Sequence, residues 1–129
     1  MCRLFGGWDG TDTLNDVWVL ERKRSWLWHS QRILPVGFEP NAFSDGVERA
    51  RALAIACRQH VPCARRGHSA VRVSEQLLLV FGGLHGNSRF LNDVFLLDVS
   101  ARTWRRLDVS GEAPSPRAWH SAWCALATL

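Results

Sequence analysis

The sequence has no tyrosine, and it has no long run of apolar residues. A transmembrane helix needs about 18 or more consecutive apolar residues, so none is expected. Residues 1–3 lead straight into LFGG, without the hydrophobic stretch of a secretory signal peptide. We therefore predict a protein of the cytosol or nucleus with no membrane partner.

The sequence also lacks any block of about five or six like charges. The net charge is +4, and its basic residues are spread in short clusters such as Arg22-Lys23-Arg24. Solvated turns with a mild basic bias explain this pattern more simply than a nucleic-acid surface does. No nucleic-acid partner is predicted.

The four cysteines form no Cys-x-x-Cys pair. Cys57, His60 and Cys63 stand close together, but a zinc site needs about four ligands and no convincing fourth is evident. Unpaired buried thiols of a reducing compartment are the favoured interpretation. We therefore predict no metal site and no cofactor.

What the sequence does contain is an internal repeat. Residues 4–10 (LFGGWDG) return as residues 80–86 (VFGGLHG), and residues 14–20 (LNDVWVL) return as residues 91–97 (LNDVFLL). A tryptophan follows in each copy, Trp26 in the first and Trp104 in the second. A third element, residues 65–70, returns as residues 117–122.

Short strands are predicted at residues 68–73, 77–81, 93–97 and 103–107, with a hairpin turn at residues 98–102. The apolar run 77–81 leads into Gly82-Gly83, which permits positive φ where this strand must stop. Four short antiparallel strands joined by turns make one blade of a β-propeller.

This pattern resembles the kelch-repeat family. The resemblance rests on residues 81–83 (FGG), residues 91–94 (LNDV), Trp104 and residues 116–121 (PRAWHS). It covers residues 1 to about 34 and about 64 to 129. It implies an all-β fold, namely an incomplete kelch propeller of about two four-stranded antiparallel blades with one short helical insertion.

The predicted organisation is a partial blade at 1–34, an inserted loop with a short helix at 35–63, a complete blade at 64–117 and the start of a further blade at 118–129. Within the insertion, Asp45 and Glu48 suit a capping box, and Pro62 closes a helix at about 46–60. A functional loop and a sequence artefact such as an unremoved intron both explain the insertion, and its order is left open.

A propeller uses about four to eight blades, so one chain of this length cannot close a ring. We expect a longer parent chain or additional blades to complete it. The residues that recur in both copies are predicted to be structural, with the aspartates bonding loop N–H groups and the tryptophans packing between blades. These residues are Gly6, Gly7, Asp16, Trp26, Gly82, Gly83, Asp93 and Trp104.

No catalytic residue is predicted. His68 and His120 each precede a serine, but adjacent side chains of a strand point to opposite faces, which does not suit a base activating a nucleophile. The resemblance admits one enzyme, of the galactose-oxidase type, but that enzyme needs tyrosine ligands for copper and this chain has no tyrosine.

The resemblance implies a protein-binding module whose loops gather at one mouth of the ring. It points to the residues after each Gly-Gly pair and to those before each blade's first strand. The candidate partner-binding residues are Trp8, Asp9, Arg66, Leu84, His85, Asn87 and Trp119. The sequence does not identify the protein partner. Presentation of substrates to a ubiquitin ligase, through an F-box or BTB segment, is one implied role, and a cytoskeletal or trafficking scaffold is another.

Overall fold

In the computed structural model, which describes residues 1–125, the chain forms two β-sheets and one α-helix. The elements are β1 (Cys2–Trp8), β2 (Thr13–Arg22), β3 (Trp26–Ser30), β4 (Leu34–Pro35), α1 (Gly46–His60), β5 (Ser69–Arg72), β6 (Leu77–His85), β7 (Arg89–Asp98) and β8 (Thr103–Arg106). Blade 1 is the sheet β1-β2-β3, and blade 2 is the sheet β4-β8-β7-β6-β5. The prediction of an all-β, incomplete propeller with one short helix is confirmed.

Blade 2 contains the four predicted antiparallel strands and a fifth that was not predicted. β4 pairs in parallel with β8, joining Leu34 to Thr103 and Pro35 to Trp104. Proline tolerates this place because it is an edge of the sheet, where no partner needs its missing N–H. The junction between the predicted partial blade and the insertion thus covers the outer edge of the complete blade.

The glycine pairs do not end their strands as predicted. β6 continues to His85, and its pairing with β7 shifts register between Phe81 and Gly83. Gly82 and Gly83 have φ values of +65° and +107°. These left-handed conformations produce a β-bulge, which lets the strand bend and continue. The equivalent bulge in β1 lies between Phe5 and Gly7.

The helix α1 forms in the insertion at the predicted place. The Asp45 carboxylate accepts a hydrogen bond from the N–H of Val47 at 3.0 Å, which satisfies one of the free donors of the first turn. At the other end, the Val61 N–H donates to the carbonyl of Cys57, and Pro62 follows. Within residues 1–125, no helix combines the length and apolar character needed to cross a membrane.

The core lies between the two blades, which stack face to face. Phe5 and Val17 of blade 1 pack against four residues of blade 2 in one buried cluster. The ring centroids of Phe5 and Trp104 are 5.0 Å apart. The blade 2 members of the cluster are Val80, Phe95, Leu97 and Trp104.

The structure corrects the predicted role of Trp26. Trp104 packs between the blades as predicted, but Trp26 pairs with Arg22 near the hairpin turn and is 60% exposed. Trp28, opposite Leu20, occupies the register position that Trp104 holds opposite Leu97. The reason is spacing, since Trp104 follows Leu97 by seven residues and Trp26 follows Leu20 by only six, whereas the longer hairpin of blade 1 brings the eighth residue, Trp28, opposite Leu20.

Residues 118–125 form no strand, so the predicted first strand of a further blade is not made within the described residues. The segment nevertheless lies against blade 2, since the Trp119 N–H donates to the carbonyl of Gly67 at 2.7 Å. Residues 126–129 of the predicted further blade lie outside the described residues.

Candidate protein-binding mouth

Four connecting segments meet at one end of the two blades, which we call the mouth. Because neighbouring strands of each blade run antiparallel, the loops β1–β2 and β6–β7 lie at the same end as the segment before β5 and the segment after β8. Most of the candidate binding residues lie in or beside these segments.

Arg65 joins the two blades at the mouth. Its N–H donates to the Leu14 carbonyl at 3.1 Å, and its own carbonyl accepts from the Gly7 N–H at 3.0 Å, so its main chain belongs to blade 1. Its guanidinium reaches blade 2, where it donates to the Gly82 carbonyl and forms a bidentate salt bridge with Asp93, with N–O distances of 2.6 and 3.1 Å. The Arg65 side chain is fully buried.

This pair corrects the role predicted for Asp93, which holds Arg65 rather than bonding loop N–H groups. A buried guanidinium needs a partner of opposite charge and hydrogen bonds for its N–H groups, and Asp93 supplies both. Sequence reasoning missed Arg65, although the match between residues 65–70 and 117–122 contained the signal in Arg65 and Arg117.

Arg117 makes with blade 2 the same main-chain hydrogen bonds that Arg65 makes with blade 1. Its carbonyl accepts from the Gly83 N–H at 2.8 Å, and its N–H donates to the Leu91 carbonyl at 3.0 Å. The side chain is exposed and, among the described residues, bonds only the neighbouring Ser115. Asp16, the repeat equivalent of Asp93, is also exposed and accepts from the Trp18 indole.

The two repeated histidines also hold equivalent places. His68 packs on Phe5 with ring centroids 5.1 Å apart, and His120 packs on Phe81 at 5.3 Å. His120 Nε2 lies 2.8 Å from Ser69 Oγ, which links the C-terminal segment to β5. Burial, and next the charge of Arg65, lower the pKa of His68 below its ordinary 6.5. These contacts fit the structural role predicted for both residues.

An exposed row of side chains runs across the mouth. The Arg66 guanidinium lies over the Trp8 ring, 5.1 Å from its centroid, as a cation–π pair. Farther along, Trp119 and Phe90 meet edge to face with centroids 6.4 Å apart. The rings of Trp8 and Trp119 are more than half exposed. We call these four residues the aromatic row.

Gly67 connects the two halves of the aromatic row. A Cβ on Gly67 would lie 3.1 Å from the Trp119 ring, so glycine lets this ring lie against the backbone beside Arg66. Trp119 itself has a φ of 56°, a left-handed conformation that is strained for a bulky residue. Such outliers cluster at binding sites, where surrounding contacts hold the strained backbone in place.

The other candidate residues have different surroundings. Leu84 is buried, and its N–H and carbonyl both bond to Arg66, at 2.8 and 3.0 Å. The prediction of an exposed binding residue is therefore wrong for Leu84. β6 continues through this residue, and the linker between α1 and β5 (residues 61–68) covers it. His85 Nδ1 donates to the Ala64 carbonyl at 2.6 Å and holds the same linker.

Asp9 organises the β1–β2 turn. Its carboxylate accepts from the N–H groups of Thr11 and Asp12, both at 2.8 Å, and the bond from Asp12 and then that from Thr11 lower its pKa. Asn87 is exposed in the β6–β7 turn. The structure thus brings Trp8, Arg66 and Trp119 into one row and adds Phe90, which sequence reasoning missed.

No group of three or more His, Cys, Asp or Glu side chains in residues 1–125 is placed to hold a metal ion. An open cleft of about 820 Å³ lies away from the mouth, between the N-terminal half of α1 and the start of β8. Its lining includes Arg32, Arg49 and Arg102.

Comparison with known families identifies the repeat. Residues 43–128 match the KLHDC2/KLHL20/DRC7 Kelch-repeats domain. The chain belongs to the kelch-repeat family. The matched range contains the complete kelch blade, the Arg65 joint and the C-terminal segment.

Several known proteins contain stretches of similar sequence. Adagio-like protein 1 of Oryza sativa subsp. japonica is 47% identical over 64 residues, which is 47% of this chain and 10% of that protein. The flagellar outer arm dynein alpha chain of Chlamydomonas reinhardtii is 40% identical over 63 residues, covering 49% of this chain and 1% of that protein.

The Rho GTPase-activating protein gacHH of Dictyostelium discoideum is 24% identical over 122 residues, covering 91% of this chain and 6% of that protein. The kelch chain therefore spans a tenth or less of the length of these three relatives.

Proposed function

We propose that this chain is a protein-interaction module that binds its partner through the aromatic row. Membership of the kelch-repeat family supports a protein-interaction role. The observation that carries the proposed location is the row itself, in which the exposed rings of Trp8, Trp119 and Phe90 and the half-buried Arg66 side chain lie side by side across two blades.

The chemistry of the row suits a protein ligand. Tryptophan and arginine are the side chains most enriched at the energetic centres of protein interfaces. The half-buried Arg66 guanidinium stacks on Trp8, and its Nε has no acceptor within residues 1–125, so the side chain can bind a carboxylate or carbonyl of the partner. We propose no catalysis, and the Ser69–His120 contact is assigned to holding the C-terminal segment on blade 2.

Presentation of substrates to a ubiquitin ligase is the finer role proposed, on the strength of the family resemblance. A cytoskeletal scaffold is the second candidate, supported by the similarity to the flagellar outer arm dynein alpha chain. We propose the cytosol or nucleus as the setting, which suits a chain with four free thiols.

The binding role is tested by affinity purification from cells with the W8A/W119A variant beside the unaltered chain. We expect the variant to lose about tenfold or more of the specifically recovered protein, because removing a tryptophan from an interface centre costs 2 kcal/mol or more. Trp26→Ala is the matched control, since Trp26 is exposed but lies outside the aromatic row.

Equal recovery by W8A/W119A and the unaltered chain would overturn the proposed location. The two finer roles are separated by the identity of the recovered proteins. A cullin-complex component recovered with a longer form supports the ligase role, whereas its absence together with cytoskeletal proteins supports the scaffold.

A further inference from the structure

Blade 1 has an edge that blade 2 does not have. In blade 2, β6 pairs with β7 on one side and with β5 on the other. In blade 1, β1 pairs with β2 on one side, and within residues 1–125 no strand pairs with its other side. Blade 1 thus lacks the strand that corresponds to β5.

The C-terminal segment, residues 117–125, has the sequence of a first strand but pairs with no strand of residues 1–125. Residues 117–122 repeat residues 65–70, which begin β5, yet they belong to no sheet. The segment is nevertheless fixed to blade 2 through the main chain of Arg117 and the contact of His120 with Ser69. Among the strands of residues 1–125, none is the first strand of blade 1, and the C-terminal segment has the sequence of a first strand.

The charges at the two ends are complementary. Arg65 is buried because its guanidinium reaches Gly82 and Asp93 of the following blade. Arg117 has the same main-chain contacts, but its guanidinium is exposed. The acceptors equivalent to Gly82 and Asp93 are Gly6 and Asp16, and Asp16 is exposed.

The apolar faces are complementary as well. Val80 is fully buried against blade 1, whereas its equivalent, Leu4, is 52% exposed. Trp104 is 1% exposed, whereas its equivalent, Trp28, is 52% exposed. The face of blade 1 that points away from blade 2 is therefore an apolar surface of the kind that blade 2 buries.

We propose that a second copy of this chain covers blade 1, by adding its C-terminal segment to β1 and stacking its blade 2 on the open face. This contact repeats between two copies the joint that blade 1 and blade 2 form within one copy. Arg117 of one copy then meets Asp16 and Gly6 of the next, as Arg65 meets Asp93 and Gly82. The inference goes beyond the proposed function and does not depend on the aromatic row.

The pairing of β5 with β6 gives the expected register between copies. Ser69 is opposite Phe81, and Arg72 is opposite Leu78. By repeat equivalence, Ser121 of one copy lies opposite Phe5 of the next, and Cys124 lies opposite Cys2. Directly opposed residues of antiparallel strands have Cα atoms about 4.5–5.5 Å apart, within the range of about 4.4–6.8 Å that a disulfide spans.

The contact is heterologous, since it joins two different surfaces, and such contacts close into rings when the rotation allows. Each copy supplies two blades, so rings of two, three or four copies contain the number of blades that propellers use, about four to eight. Additional blades were predicted to be needed for closure, and here they come from identical chains.

Molar mass in solution tests the assembly. We expect the purified chain, of 14.6 kDa, to elute in light-scattering chromatography at two, three or four times that mass. D16R and R117D should each shift it to the monomer, because each places like charges together at the joint. R51D, which makes the same charge change at an exposed position of α1, should leave the mass unchanged.

Exchanging the two charges distinguishes a loss of assembly from misfolding of the single variants. The double variant D16R/R117D should regain the assembled mass, and an equimolar mixture of D16R and R117D should form heteromers. A monomeric unaltered chain at 100 µM would overturn the proposal, and so would an assembled chain whose mass neither variant lowers. The first of these results, a monomeric chain, is the one expected if a longer form of the chain supplies the additional blades itself.

The register has its own test. Oxidation of the assembled chain should produce a reducible covalent oligomer, of up to as many copies as the ring contains, whose linked peptides contain Cys2 and Cys124. C2S and C124S should each abolish it, whereas C57S should not. A dimer linked through other cysteines, or none while the assembled mass persists, would overturn the strand addition. Neither assay measures binding at the aromatic row, so the two proposals fail separately.

Discussion

Arg65 is the residue on which the contact between the blades depends most. Its main chain bonds Gly7 and Leu14, whereas its side chain bonds Gly82 and Asp93. Removal of one partner from a buried ion pair leaves the other charge without compensation, and this is strongly destabilising.

We therefore expect Asp93→Asn to lower the free energy of unfolding by about 3–5 kcal/mol, measured by urea denaturation at one protein concentration. Asp108→Asn, at an exposed position after β8, should change it by less than about 0.5 kcal/mol. Equal effects of the two variants would show that the pair is not the joint described here.

His68 makes stability depend on pH. Because burial and Arg65 lower the pKa of His68 below 6.5 in the folded chain, the unfolded chain takes up the proton first as the pH falls. Stability should therefore be fully present above about pH 7.5 and should decline as the pH falls through 6.5 and below.

The measurement for His68 is the melting temperature between pH 7.5 and pH 5.5. His68→Gln should flatten the decline, whereas His29→Gln, at an exposed position of β3, should retain it. An unchanged slope in His68→Gln would assign the pH dependence to another group.

Which residues are structural was partly predictable from the sequence. The repeated glycines, Asp93 and Trp104 stand out because each recurs at a fixed place in both copies. The partner of Asp93 was not predictable in the same way, because Arg65 lies 28 positions away and reaches it only through the three-dimensional path of the linker.

At the scale of strands, the bulge in β6 is the feature that glycine makes possible. Gly82 has a φ of +65°, and a Cβ there would lie 2.8 Å from the carbonyl oxygen of Arg117. Gly86 has a nearly equal φ of +61°, with no atom within 4 Å of the place a Cβ would take.

Substitutions of Gly82 and Gly86 by alanine give a matched comparison. Gly86→Ala should cost only the backbone term, about 1–2 kcal/mol. Gly82→Ala should cost about 1–3 kcal/mol more, because the chain at Arg117 must also move away. Thermal or urea unfolding measures both, and equal losses would mean that the chain at Arg117 does not press on the bulge.

Strand positions followed from short apolar runs, but two details of the elements did not. β4 is only two residues long and contains Pro35, so no pattern marks it, and its pairing with β8 is a tertiary effect. Trp26 stands one residue before, and Trp28 one residue after, the position that the spacing of blade 2 assigns, and the hairpin of blade 1, one residue longer, places Trp28 there. Hairpin length sets register, which residue type alone does not reveal.

For the whole molecule, the propeller architecture was predictable because two copies in register repeat both composition and spacing. The mouth was predictable in outline for the same reason. Its exposed surface was not, since Trp8 and Leu84 hold equivalent positions yet one is exposed and the other buried. The difference arises because the linker bonds Leu84 through Arg66, and this path depends on the whole chain.

The Arg65 joint also bears on how such genes change length. Arg65 and Arg117 stand 52 positions apart, and the span from one to the next includes an arginine together with the aspartate that receives it. Duplication or loss of a DNA segment coding for this span leaves every arginine matched, wherever in the repeat the boundaries fall. A deletion that removes Asp93 and keeps Arg65 would leave a buried cation without its partner, whereas a change of length within a loop, such as the insertion at residues 35–63, leaves the pair intact.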